Sequence, residues 1–119
     1  VIWGPRRELE EELAYYREDL ARHEREFLVG VVIPEPYTVR LTCVDVPEQW
    51  DILIDGRQVG YLRCRHSKWR LDYLDVGGKT LIAEPWHPER GQYESSFDEE
   101  RPQVFARVFR ALDHELMAR

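Results

Sequence analysis

A chain of 119 residues with a net charge of −6, of which 43% are hydrophobic and 34% charged, can form one domain with one core and is too short for two. Four Trp, six Tyr and four Phe supply more bulk than a disordered chain carries. The longest apolar run covers the seven residues 27–33, far below the roughly 20 that a spanning helix needs, so no membrane segment is expected. The acidic balance also argues against nucleic-acid binding by the surface as a whole.

The chain opens on Val1 rather than Met, which leaves a longer parent protein open. Residues 1–26 are rich in Arg and Glu without a hydrophobic signal-like region, and a cytoplasmic protein is the expectation. A helix is predicted from about residue 5 to 29. Pro5 suits its first position, and the carboxylates of Glu8 to Glu12 sit near the positive end of its dipole. Leu9, Leu13, Tyr16, Leu20, His23 and Phe27 recur at alternating spacings of four and three, drawing one apolar seam that Ala14, Ala21 and Leu28 widen. Gly30 is a natural stop. The seam is expected to lie across a sheet, and its heptads would also allow a homodimer through this helix.

The prolines of "IPEPY", residues 33–37, form a stiff connector. A β-rich block follows from about residue 37 to 86, with apolar and polar residues alternating in "TVRLTCV". Asp55–Gly56 is a strong hairpin signal, Ser67–Lys68 a weaker turn, and "VGGK" a further turn before "TLIAEPW". These signals predict a four- or five-stranded antiparallel meander. Residues 87–101 read as an acidic loop, and a last helix is predicted from about 102 to 117 with Phe105, Phe109, Leu112 and Leu116 as its stripe. Ser96 with Glu99 has the form of a capping box, but a start there would enclose Pro102, so a short separate turn is expected instead. The fold class is therefore α+β, a single domain over residues 1–119, with both helices laying their stripes on one face of the sheet.

Positive charge is concentrated around the second hairpin. Arg57, Arg63, Arg65, Lys68 and Arg70 fall in a stretch without an acid, interleaved with Tyr61 and Trp69. With Ser67–Lys68 at the tip, alternation places His66, Trp69, Cys64, Leu71, Leu62 and Tyr73 on one face. The other face then pairs Arg65 with Arg70, Arg63 with Asp72 and Tyr61 with Leu74. Trp69 is thus expected in the core. Arg65 beside Arg70 calls for an anion: a carboxylate of Asp98, Glu99 or Glu100, an acidic partner protein, or phosphate. The 15 Arg against 2 Lys do not by themselves indicate phosphate binding.

Other motifs carry less. "GGKT", residues 77–80, resembles the end of a phosphate-binding loop but lacks the glycine five residues before Lys79 and reads as a β-turn. His23 reads as a core or interface histidine, His66 beside Cys64 as too little for a metal site, and His114 as a cation suited to a helix end. His87 and Glu89 could form an acid–base pair but lack a companion nucleophile. Cys43 and Cys64 read as reduced thiols rather than a disulfide. Neither a cofactor nor a metal is expected.

The function these features favour is that of a small non-enzymatic interaction protein, a regulator, inhibitor or accessory factor. Its partner-binding residues would be Arg63, Arg65, Lys68 and Arg70 at the hairpin and Asp98, Glu99 and Glu100 in the acidic segment. In the second case the carboxylates could occupy a partner's phosphate sites. The alternatives are nucleic-acid binding through the basic hairpin and a small enzyme using His87 and Glu89.

Overall fold

The computed structural model describes residues 5–44, 47–65, 68–85 and 97–119. Helix α1 (Pro5–Phe27) leads through the connector to five strands, β1 (Tyr37–Cys43), β2 (Glu48–Ile54), β3 (Arg57–Arg65), β4 (Lys68–Tyr73) and β5 (Thr80–Pro85), and the chain closes with α2 (Phe97–Met117). The strands form one antiparallel sheet in chain order, β1-β2-β3-β4-β5, the expected meander. At the first tight turn Ile54 pairs with Arg57, and both Asp55 and Gly56 have positive φ, 51° and 77°. That is the backbone an Asp-Gly hairpin turn needs to match the twist of its strands.

Alternation sorts the sheet into two faces. Trp50, Ile52, Leu62, Cys64, Trp69 and Leu71 are buried on the inner face, where α2 brings Val104, Phe105, Val108, Phe109 and Leu112 against them. Phe105 meets Trp50 edge-on with ring centroids 5.1 Å apart, and Phe109 stacks 4.9 Å from Tyr37. Gly60 lies where the packing is tight: a Cβ there would come within 3.3 Å of Leu112 Cδ1 and 3.4 Å of Leu71 Cδ1.

Helix α2 starts earlier than expected, at Phe97, and takes Pro102 into its interior. Residues 98–101 are therefore helix rather than acidic loop. Proline here removes only the hydrogen bond toward the Asp98 carbonyl, close to an end whose first N–H groups are unpaired in any helix. Asp98, Glu99 and Glu100 favour the positive end of the dipole, and Arg101 bonds back to Asp98 over one turn at 2.8 Å. Ser96 of the capping-box reading lies outside the described residues.

Helix α1 also departs from expectation. Its last turns pack: Leu20, Phe27 and Leu28 touch the core, and Glu24 Oε2 accepts the N–H of Leu41 at 3.0 Å, capping a backbone donor on edge strand β1. Residues 7–18 are exposed throughout, with Leu9, Leu13 and Tyr16 at 55%, 43% and 50%. The predicted seam is real in periodicity, but only its C-terminal half lies on the domain. No described helix is long and apolar enough to cross a membrane.

Candidate functional site

Among the described residues, both helices lie off the outer face of the sheet. Across all five strands runs a row of direct neighbours, Arg40, Asp51, Tyr61, Asp72 and Thr80. Beside it lies a second row, Gln49, Arg63, Arg70 and Ala83, and beyond that Arg65 opposite Lys68. The four cations expected at the second hairpin are thus brought together on one surface.

Their partners differ from expectation. Arg65 pairs with Lys68, which shifts the register of this hairpin. Each residue therefore faces one two positions away from its expected partner. Arg63 meets Arg70 rather than Asp72, Arg65 meets Lys68 rather than Arg70, and Tyr61 meets Asp72 rather than Leu74. An even shift leaves every side chain on its expected face. This register also sets Tyr73 opposite Gly60, where no side chain competes, and Leu62 opposite Leu71. His66 lies outside the described residues.

The acids of the central row are saturated from within. Asp51 accepts from Arg40 at 2.8 Å and from Gln58 at 3.0 Å. Asp72 is buried, and burial alone would raise its pKa. Hydrogen bonds from Arg70 Nε (2.9 Å), the Gly77 N–H (3.1 Å) and Thr80 Oγ1 (3.0 Å) outweigh that and hold the carboxyl below its usual range. Burial pushes the Tyr61 phenol up, Arg63 opposes this, and Asp51 and Asp72 add to it. Arg70 is consequently neutralised by Asp72. Among the described residues, neither a hydrogen bond nor an ion pair holds Arg63, Arg65 or Lys68.

The acidic half of the expected site is built differently. Glu48 shares the inner face with Trp50, and its two oxygens accept from Arg101 Nη2 at 2.7 Å and Nε at 3.0 Å, with the Trp50 indole donating at 2.8 Å. Arg101 also reaches Asp98 and lies 4.1 Å over the Phe27 ring. Glu48, Glu100 and Arg101 are each 3% exposed or less. Glu100 is therefore part of the interior and unavailable to a partner. Asp98 answers Arg101 rather than the hairpin cations, which lie on the opposite side of the sheet. Glu99 remains exposed on the first turn of α2. The Glu48–Arg101 pair had one usable signal in the sequence: Glu48 stands two residues before Trp50 on a strand and so must share its face. Arg101 had none, because the residues around it read as loop.

The remaining motifs resolve as structure. In the "GGKT" turn the Gly77 N–H is held by Asp72 and the Gly78 N–H by the Asp75 carbonyl, while the Lys79 ammonium bonds Glu115 at 3.0 Å. That turn offers a phosphate no cradle. His23 Nδ1 lies 2.8 Å from the Asp19 carbonyl and meets Phe27 edge-on; His114 is exposed. Cys43 and Cys64 are unbonded, on strands separated by β2. Burial, then Glu48 and Glu100, push the Cys64 thiol well up, and Arg101 only partly opposes them. Among the described residues no group of three His, Cys, Asp or Glu could hold a metal ion. His87 and Glu89 lie outside them. Compared with protein-family models, with curated proteins and with solved structures, the chain shows no match.

Proposed function

We propose that the chain is a small non-enzymatic interaction protein, a regulator, inhibitor or accessory factor, that docks the outer face of its sheet on an acidic surface of another protein. The observation that carries this is the cluster of Arg63, Arg65 and Lys68, held by no internal anion among the described residues and placed with Arg63 directly opposite Arg70. Like charges facing across an antiparallel pair destabilise it by a few tenths to about 1 kcal/mol, and an external carboxylate between them would remove that repulsion.

A protein surface suits the face better than a nucleic acid does. Tyr61 is 8% exposed, too covered to serve as a base-stacking platform. The unbonded cysteines suit work in a reducing compartment, the cytoplasm.

The test compares the wild type with Arg63→Glu/Arg65→Glu, which spares the Arg70–Asp72 pair. Proteins captured from a lysate of the source organism should include acidic ones retained by the wild type and lost with the variant. Electrophoretic titration with DNA and RNA should give no shift at low salt. Equal capture by both proteins would reject the reading, and a salt-sensitive shift lost in the variant would replace it with nucleic-acid binding.

A further inference from the structure

The exposed part of α1 carries apolar side chains that no described residue covers. Residues 7–18 run about 18 Å as helix beyond the last turns that pack on the domain. Leu9, Leu13 and Tyr16 make a narrow ridge there, half exposed, and continue the seam that Leu20 and Phe27 bury at the sheet. A ridge at alternating spacings of four and three on a helix suits another helix, whose side chains interdigitate with it.

The flanks of the ridge say which helix. Helical geometry places Glu8, Glu12 and Asp19 along one side, and Glu10 and Arg17 along the other. Glu8 and Glu12 hold neither a hydrogen bond nor an ion pair among the described residues. A second copy matches these flanks poorly. Paired in parallel, Glu12 would meet Arg17 of the other copy but Asp19 would meet Glu24; paired antiparallel, Glu12 would face Asp19. Glu24 is moreover occupied at the Leu41 N–H on β1. A helix with Lys or Arg flanking its apolar stripe gains attraction along the side that carries Glu8 and Glu12.

We propose that the overhanging turns of α1 are a docking strip for a basic amphipathic helix of a partner protein, with Leu9, Leu13 and Tyr16 as the apolar contacts and Glu8 and Glu12 as the charged ones. This surface is distinct from the basic sheet face and stands whether or not that face binds.

The probe is a labelled helical peptide of about three heptads, with Leu at the two seam positions and Lys at the flanking ones. A second peptide carries Glu at the flanks. Binding is read by fluorescence anisotropy against the wild type, Leu13→Asp and Arg63→Glu/Arg65→Glu. The Lys peptide should bind the wild type saturably and the Glu peptide should not. Leu13→Asp should weaken binding by roughly tenfold or more, although it adds negative charge, and the sheet-face variant should bind as the wild type does. Leu13 is 43% exposed, so Leu13→Asp should keep the native circular dichroism and melting temperature. Leu9→Asp, at a position 55% exposed, provides the same reading should Leu13→Asp misfold. Absence of saturable binding, or binding that Leu13→Asp leaves unchanged or strengthens, would overturn the proposal. A wild-type dimer that Leu13→Asp converts to monomer in sedimentation would overturn it too, by assigning the strip to a second copy.

Discussion

Arg101 reaches across the core with a chemistry that a hydrophobic count would not anticipate. Its guanidinium, 3% exposed, holds both oxygens of the equally buried Glu48, bonds Asp98 and covers Phe27. A buried pair of this kind contributes less by existing than it costs to break, because removing one member strands the other's charge in a poorly solvated site. Arg101→Met should therefore lower unfolding stability by about 3–5 kcal/mol in urea titration, and Arg101→Met/Glu48→Gln should recover a large part of that loss. Asp72 makes a second residue-level prediction. Its folded pKa lies below the unfolded value, so its contribution to stability is fully present above pH about 4 and is lost as pH falls below that. Hydrogen bonds from Lys79, with help from Arg119 and against some burial, also lower the Glu115 pKa, so Glu115 acts in the same direction. Asp72→Asn should flatten the acid limb of stability against pH without abolishing it. An unchanged limb would mean that Asp72 titrates alike in both states.

The helices and strands were legible in the sequence to different depths, for reasons that lie in their local chemistry. Period-two alternation over 61–65 and 69–73 identified the faces correctly, because any even shift preserves them. It could not set the register, since Ser67–Lys68 lacks the positive-φ preference that located the Asp55–Gly56 turn at once. Pro102 misled for the opposite reason. Proline is a strong local signal, and here the Arg101 anchor and the acidic first turn outweigh it. The seam of α1 was read correctly as periodic, but periodicity does not say how much of a stripe finds a surface. Leu13→Ala should change stability by no more than about 0.5 kcal/mol, whereas Phe27→Ala, which removes the ring between Trp50 and Arg101, should cost about 2–3 kcal/mol. Cys43 and Cys64, with β2 between their strands, are about two strand spacings apart, beyond the roughly 7 Å that a disulfide spans. Mild oxidation of the native protein should leave them unlinked by mass spectrometry, and a bridged peptide would contradict the strand order.

At the scale of the molecule, the overhanging helix and the outer sheet face account for both shape and charge. The radius of gyration is 16.3 Å with extents of 57 × 37 × 27 Å, against about 13.5 Å for a compact domain of this length. Both helices are net acidic, while the outer sheet face keeps cations that the rest of the described chain does not neutralise, so the net charge of −6 conceals two surfaces of opposite sign. The candidate cations were legible because a run of five without an acid is visible in one dimension. The separation of Asp98 and Glu100 from them was not, since it depends on which side of the sheet α2 lies. The central claim is that the outer face, and specifically the corner around Arg63, Arg65 and Lys68, is where an anionic protein surface binds. The most direct measurement is a nuclear magnetic resonance titration of the isotope-labelled protein with an acidic glutamate-rich peptide. The shifts should concentrate on Gln49, Tyr61, Arg63, Arg65, Lys68 and Arg70 and vanish in Arg63→Glu/Arg65→Glu. Shifts spread over α1 or α2, or shifts that survive the double charge reversal, would contradict it.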